Sequence, residues 1–117
     1  PVPGYHINGK ATTGENIADL GGILLGIEAF KKTAQYKENK TVAGLTPMQR
    51  YFLGYALGWL GHTREEQLRN SLLTDVHSPA KYRVNGPFVD VDDFYTTFNI
   101  KPGDKMYRAD SLRVKIW

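Results

Sequence analysis

The stretch Gly14-Glu15-Asn16-Ile17-Ala18-Asp19-Leu20-Gly21-Gly22 opens a segment in which apolar residues fall at Ile17, Leu20, Leu24, Ile27 and Phe30. Spacings of three and four predict an amphipathic helix from about Glu15 to Tyr36 with one buried stripe. Thr12 and Thr13 offer hydroxyls for its N-cap. Glu15 and Asp19, four apart, project from one face about one turn from each other. The same face continues through Gly22 and Gly26. A glycine inside a helix costs about 1 kcal/mol relative to alanine, so Gly21, Gly22 and Gly26 point to a close neighbour, most simply another helix. Taken alone, the two carboxylates admit two readings, a solvated first turn favoured by the helix dipole and a metal-binding face.

Upstream, residues 1–14 are rich in Gly, Pro, Thr and Asn, and Asn8-Gly9 is a turn dipeptide. Pro1-Val2-Pro3-Gly4 shows neither a basic nor an apolar signal-peptide region, so no signal peptide is expected in the chain as given. Downstream, Thr46-Pro47-Met48-Gln49 has the capping-box pattern. It introduces a helix to about Leu60 with Tyr51, Phe52, Tyr55, Leu57 and Trp59, apolar around much of its surface and expected to be largely buried. Thr63-Arg64-Glu65-Glu66 repeats the signature for a third helix ending near Thr74. Ser78-Pro79 opens a short turn that Asn85-Gly86-Pro87 closes. Asp90 to Phe98 reads as a further helix capped by Asp90, with Asp92 and Asp93 in its first turn. Leu112 to Trp117 alternates apolar and basic residues like a short strand.

The chain of 117 residues is 41% hydrophobic and 23% charged, the composition of one globular domain. It holds no apolar run long enough to span a membrane. Fifteen Lys and Arg against twelve Asp and Glu leave a charge of +3, too dispersed for a nucleic-acid footprint. Without cysteine there is no disulfide, no thiolate zinc site and no thiol nucleophile. The three histidines, His6, His62 and His77, include no pair four residues apart, so a self-contained His-rich metal site is not expected.

Gly14 to Gly22 closely resembles the ENIAD-type motif of the neprilysin and endothelin-converting-enzyme family of zinc metallopeptidases. Tyr5-His6-Ile7-Asn8-Gly9, Thr74-Asp75-Val76-His77-Ser78-Pro79, Tyr82-Arg83-Val84-Asn85-Gly86, the segment bearing Met106 and the terminal Trp117 are similar to that family as well, in order along the chain.

The resemblance implies a mainly α fold, the C-terminal helical part of a thermolysin-like catalytic domain. It implies zinc held by two histidines of an HExxH helix and by Glu15 as third ligand. Asp19 would be the carboxylate behind the metal that orients a zinc histidine. Zinc lowers the pKa of its bound water to about 7, producing a nucleophile for a peptide carbonyl. His77 would stabilise the oxyanion, although a lone histidine beside Ser78-Pro79 is also an ordinary surface or capping residue. Arg83 would bind a substrate carbonyl and contact Asp19; its plain alternative is a surface ion pair of small value. Asn85 is a weaker substrate contact in the same segment. Trp59 would line the pocket for a bulky apolar residue after the scissile bond, a role compatible with simple core packing.

Two departures stand out. Cysteines of the animal members correspond here to Leu60, Ile100 and Val114, where burial is expected to replace disulfides, as in the bacterial branch. No HExxH occurs in the chain. Residues 1–117 are therefore expected to be a C-terminal fragment of the catalytic domain, inactive alone. Its expected partners are a peptide substrate and the N-terminal remainder of the parent, with self-association of the separated fragment through apolar surface near Trp59. Family resemblance favours a cell-envelope, periplasmic or secreted location. The competing reading is a non-catalytic helical binding or assembly module derived from the same family.

Overall fold

The computed structural model describes residues 2–117. Its long first helix, α1 (Gly9–Lys31), starts earlier than the apolar period shows, because Asn8 is the cap: its side chain accepts from the Ala11 N–H at 3.1 Å. Asn stands among the best N-cap residues. Thr12 and Thr13 lie inside the helix, where their hydroxyls donate back to the Asn8 and Gly9 carbonyls. The helix also ends sooner than expected. Thr33 takes extended backbone and caps a separate turn, α2 (Ala34–Lys37), by accepting from the Tyr36 N–H.

Helix α3 (Pro47–Gly58) carries the expected capping box, with Gln49 N–H donating to Thr46 Oγ1 at 3.3 Å and Thr46 N–H to Gln49 Oε1 at 2.9 Å. Helix α4 (Glu65–Thr74) has no side-chain cap. Its start at Glu65 leaves Thr63 outside, and Glu65 and Glu66 occupy the first turn, where the dipole favours anions. Helix α5 (Ala80–Phe88) runs through Asn85-Gly86 and holds Pro87 within it. Proline there lacks the N–H that would reach the Arg83 carbonyl. The Tyr55 hydroxyl donates to that carbonyl instead, at 3.3 Å, which removes the reason for the helix to stop. Helix α6 (Asp92–Phe98) begins two residues after Asp90, which turns away to accept from Arg108 and from the Val114 N–H.

The core is formed by Leu20, Ile23 and Ile27 of α1, Phe52 of α3, Phe88 of α5, and Val91, Phe94 and Tyr95 around α6. Phe52 sits at its centre, edge-on to Phe88, Phe94 and Phe98 at 5.0, 5.5 and 5.9 Å between ring centroids. The buried stripe of α1 is thus rotated toward Ile23, and Ile17 is exposed. Of Gly21, Gly22 and Gly26, two meet neighbours. A Cβ on Gly26 would lie 2.3 Å from the Tyr51 hydroxyl, which donates to the Ile23 carbonyl at 2.9 Å, and one on Gly21 would meet the Trp117 ring at 3.2 Å. Gly22 faces open space.

Helix α3 is not largely buried: only Pro47 and Phe52 are, while Leu53 and Leu57 are exposed, because neighbours cover one side of it. Leu60 at 81% and Val114 at 46% exposure are not buried replacements for a disulfide within this chain, and Ile100 is half-buried. The terminal segment is no strand. Among the described residues the β pairing is an isolated Val42–Leu45 bridge, and the Val114 N–H is spent on Asp90. The tail instead holds a 3-10 turn, Asp110–Leu112, and packs Arg113 over the Tyr95 ring at 3.5 Å.

Candidate functional site

Helices α1 and α5 pack together, and the carboxylate pair of α1 lies along their junction. Arg83 of α5 grips Asp19 with both arms of its guanidinium, Nε to Oδ2 and Nη2 to Oδ1, each at 2.7 Å. The pair is mostly withdrawn from water, with side chains 17% and 10% exposed. Hydrogen bonding to Asp19 raises the Arg83 pKa above its ordinary value, outweighing burial. The guanidinium also lies over the Trp59 ring at 4.2 Å. Tyr55, one turn before Trp59, is held above the ordinary tyrosine pKa first by burial and then by the Asp19 charge. The Arg83 guanidinium is therefore held by Asp19 at its edge and by Trp59 on its face, which distinguishes it from a free surface cation.

One turn toward the N-terminus, Glu15 is half-exposed and meets His77 of the α4–α5 loop, Nε2 to Oε2 at 3.2 Å. The other ring nitrogen faces Asp75, Nδ1 to Oδ1 at 2.8 Å, and the same carboxylate oxygen accepts from the His77 backbone N–H at 2.8 Å. That backbone bond is the leading cause that lowers the Asp75 pKa below the usual aspartate value. Carboxylates only accept, so the ring is oriented between two acceptors. The loop is pinned to α1 by Ser78, whose hydroxyl donates to Asn16 Oδ1 at 2.8 Å.

Glu15, Asp19, His77, Arg83 and Trp59 are thus brought to one continuous surface. Asn85 is exposed and sits two positions beyond Arg83, about 200° around α5, away from that cluster. Sequence reading gave no role to Asp75, Asn16, Ser78 or Tyr55. For Asp75 a signal existed: an acid two residues before a histidine at a helix end forms a local turn that accepts from the following backbone. For Asn16 and Ser78 none did, since the partners are far apart in sequence. As a metal donor, Glu15 offers a carboxylate oxygen of the kind zinc accepts. Among the described residues no three His, Asp or Glu side chains converge to hold an ion.

This helical scaffold is that of part of a zinc metalloprotease. It matches the zinc metalloprotease Zmp1 of Mycobacterium tuberculosis, solved in complex with an inhibitor, with a TM-score of 0.87 at 37% identity, over 99% of this chain and 18% of that one. The same protein in its open state gives a TM-score of 0.86. The profile of Peptidase family M13 matches residues 2–114, and the chain belongs to that family. Among its relatives are a neutral endopeptidase of Lactobacillus helveticus, 39% identical over 95% of this chain, and the human membrane metallo-endopeptidase-like 1, 39% identical over 93%. The chain spans only 16% and 14% of the lengths of these two proteins.

Proposed function

We propose that this chain is the C-terminal part of the catalytic domain of a zinc metalloendopeptidase that cleaves peptides or small proteins before a bulky apolar residue. The observation that carries the reading is the convergence of Glu15, His77 and the Arg83–Asp19 pair along one face of α1 and α5. Glu15 is the zinc ligand contributed by this chain. The HExxH histidines and the glutamate base come from the remainder of the parent. Zinc, when bound, supplies Lewis-acid activation of water and of the scissile carbonyl.

The chain's own residues do the rest. Asp19 uses two of its four lone-pair sites on Arg83 and keeps the others for the N–H of a zinc histidine, fixing that ring's orientation. His77, held at Nδ1 by Asp75, has Nε2 against Glu15 in this chain; with Glu15 committed to zinc, Nε2–H would be released to donate to the nearby oxygen on which negative charge develops. Arg83, immobilised by Asp19 and Trp59, donates to a substrate carbonyl. Trp59 presents the edge of an apolar pocket, whereas Asn85, on the other side of α5 from Arg83, would meet only a part of the substrate that runs beyond this cluster. Location at the cell envelope, in the periplasm or outside the cell fits this reading, supported by a human relative named as a membrane metallo-endopeptidase-like protein. No helix among the described residues is long and apolar enough to cross a membrane.

The test is a pair of preparations. Purified residues 1–117 with zinc leave an internally quenched peptide uncut, whereas the intact parent cuts it and loses that activity on chelation. Zinc-dependent cleavage by residues 1–117 alone would overturn the assignment of the missing ligands to the parent.

A further inference from the structure

We infer that Asn16 and Ser78 are positioning residues for His77, a latch that holds the histidine loop in register with Glu15. The inference rests on the role proposed above for His77. Between the end of α4 and the start of α5, Asp75, Val76 and His77 are all exposed, and Ser78, at 5% exposure, is the point where this segment enters the protein. Its hydroxyl donates to Asn16 Oδ1 at 2.8 Å. The Asn16 amide donates in turn to Thr12 Oγ1 at 3.3 Å, and the Thr12 hydroxyl, 2% exposed as a residue, donates to the Asn8 carbonyl at 3.1 Å. A chain of hydrogen bonds therefore runs from the cap of α1 to the residue that follows His77.

Geometry makes this chain a matter of register. Asn16 is the neighbour of Glu15 on α1, and Ser78 is the neighbour of His77, so one bond between the second members sets the distance between the first. Pro79 fixes the backbone on the far side of Ser78. Loss of the Ser78 hydroxyl leaves the imidazole tied to Asp75, which moves with the same loop, and leaves the half-exposed His77–Glu15 contact as the loop's remaining side-chain tie to α1, so the register loosens while the ring orientation within the loop survives.

The experiment uses the intact peptidase and an internally quenched peptide, with kcat, KM and zinc content measured for Ser78→Ala, Asn16→Ala, His77→Ala and the pairings with His77→Ala. Ser78→Ala and Asn16→Ala are expected each to lower kcat about three- to tenfold, the worth of one neutral hydrogen bond, with KM and zinc content unchanged. Ser78→Thr restores the rate; a cavity of about 370 Å³ lined in part by Thr12, Asn16 and Ser78 leaves room for its methyl group. In the His77→Ala background neither change costs anything further. Asn16 is on the exposed side of α1 and alanine favours helix, so that variant folds even where Ser78→Ala does not. An equal loss with and without His77, or a fall in thermal stability with kcat unaltered, overturns the inference while the role of His77 stands. If His77→Ala itself keeps full kcat, the catalytic reading of His77 falls, and the inference with it.

Discussion

Replacing Arg83 by alanine removes two charge-assisted hydrogen bonds of 2.7 Å and the stack on Trp59, and it strands Asp19, whose side chain is only 10% exposed. Truncating one partner of a fully buried ion pair costs about 3–5 kcal/mol, mostly for the charge left behind. Because this pair keeps some contact with water, the expected loss is about 2–4 kcal/mol. Asp19→Ala is milder, about 1–2 kcal/mol, since the long arginine side chain can turn outward to solvent. The double variant should then lose far less than the sum, leaving a coupling of about 1.5–3 kcal/mol. Urea unfolding followed by far-ultraviolet circular dichroism, at one ionic strength, gives the four stabilities required. Additivity within about 0.5 kcal/mol would refute the reasoning and return Arg83 to the status of a surface ion pair.

The glycines of α1 should separate cleanly. Gly26→Ala drives a methyl into the Tyr51 hydroxyl and its bond to Ile23, and is expected to cost about 1–3 kcal/mol despite better helix propensity. Gly22→Ala meets nothing in this chain and should stabilise it by up to about 1 kcal/mol; thermal denaturation of both variants decides. Asp75 has a lowered pKa, so the stabilisation it gives the histidine loop is present above the ordinary aspartate range and is lost as pH falls through and below it. Histidine NMR shifts of wild type and Asp75→Asn across that range should converge at low pH, and a difference that persists there would contradict the assignment. Leu53 and Leu57 on α3 and Leu60 just after it are exposed, so residues 1–117 should self-associate with rising concentration. Light scattering is expected to show this, with Leu57→Ser and Leu60→Ser suppressing it; a monomer at high concentration would refute it.

Much of this was legible in the residues for physical reasons that can be named. The capping box of α3 is local chemistry, four residues deciding one helix start, and it forms as written. The spacing of Glu15 and Asp19 is a helix period, so their common face follows from sequence. What was not legible depends on partners far along the chain. Pro87 reads as a terminator until Tyr55 supplies the donor that proline lacks. Thr12 reads as a cap until Asn8, taken for a turn residue, proves the better one. The apolar run of α3 reads as buried on all sides because its composition carries no record of which faces the other helices cover. Ile17, Leu53 and Leu57 are exposed for the same reason. The link from Asn16 to Ser78 leaves no pattern in either segment.

The central proposal, that Glu15 is one ligand of a zinc site completed by the rest of the parent, is tested most directly by metal content. The intact protein and its Glu15→Gln variant, purified in parallel and equilibrated with limiting zinc, should differ sharply: about one zinc per wild-type molecule, and a small fraction of that in the variant, with the fold retained by circular dichroism. Full zinc occupancy in the folded Glu15→Gln protein would contradict the account.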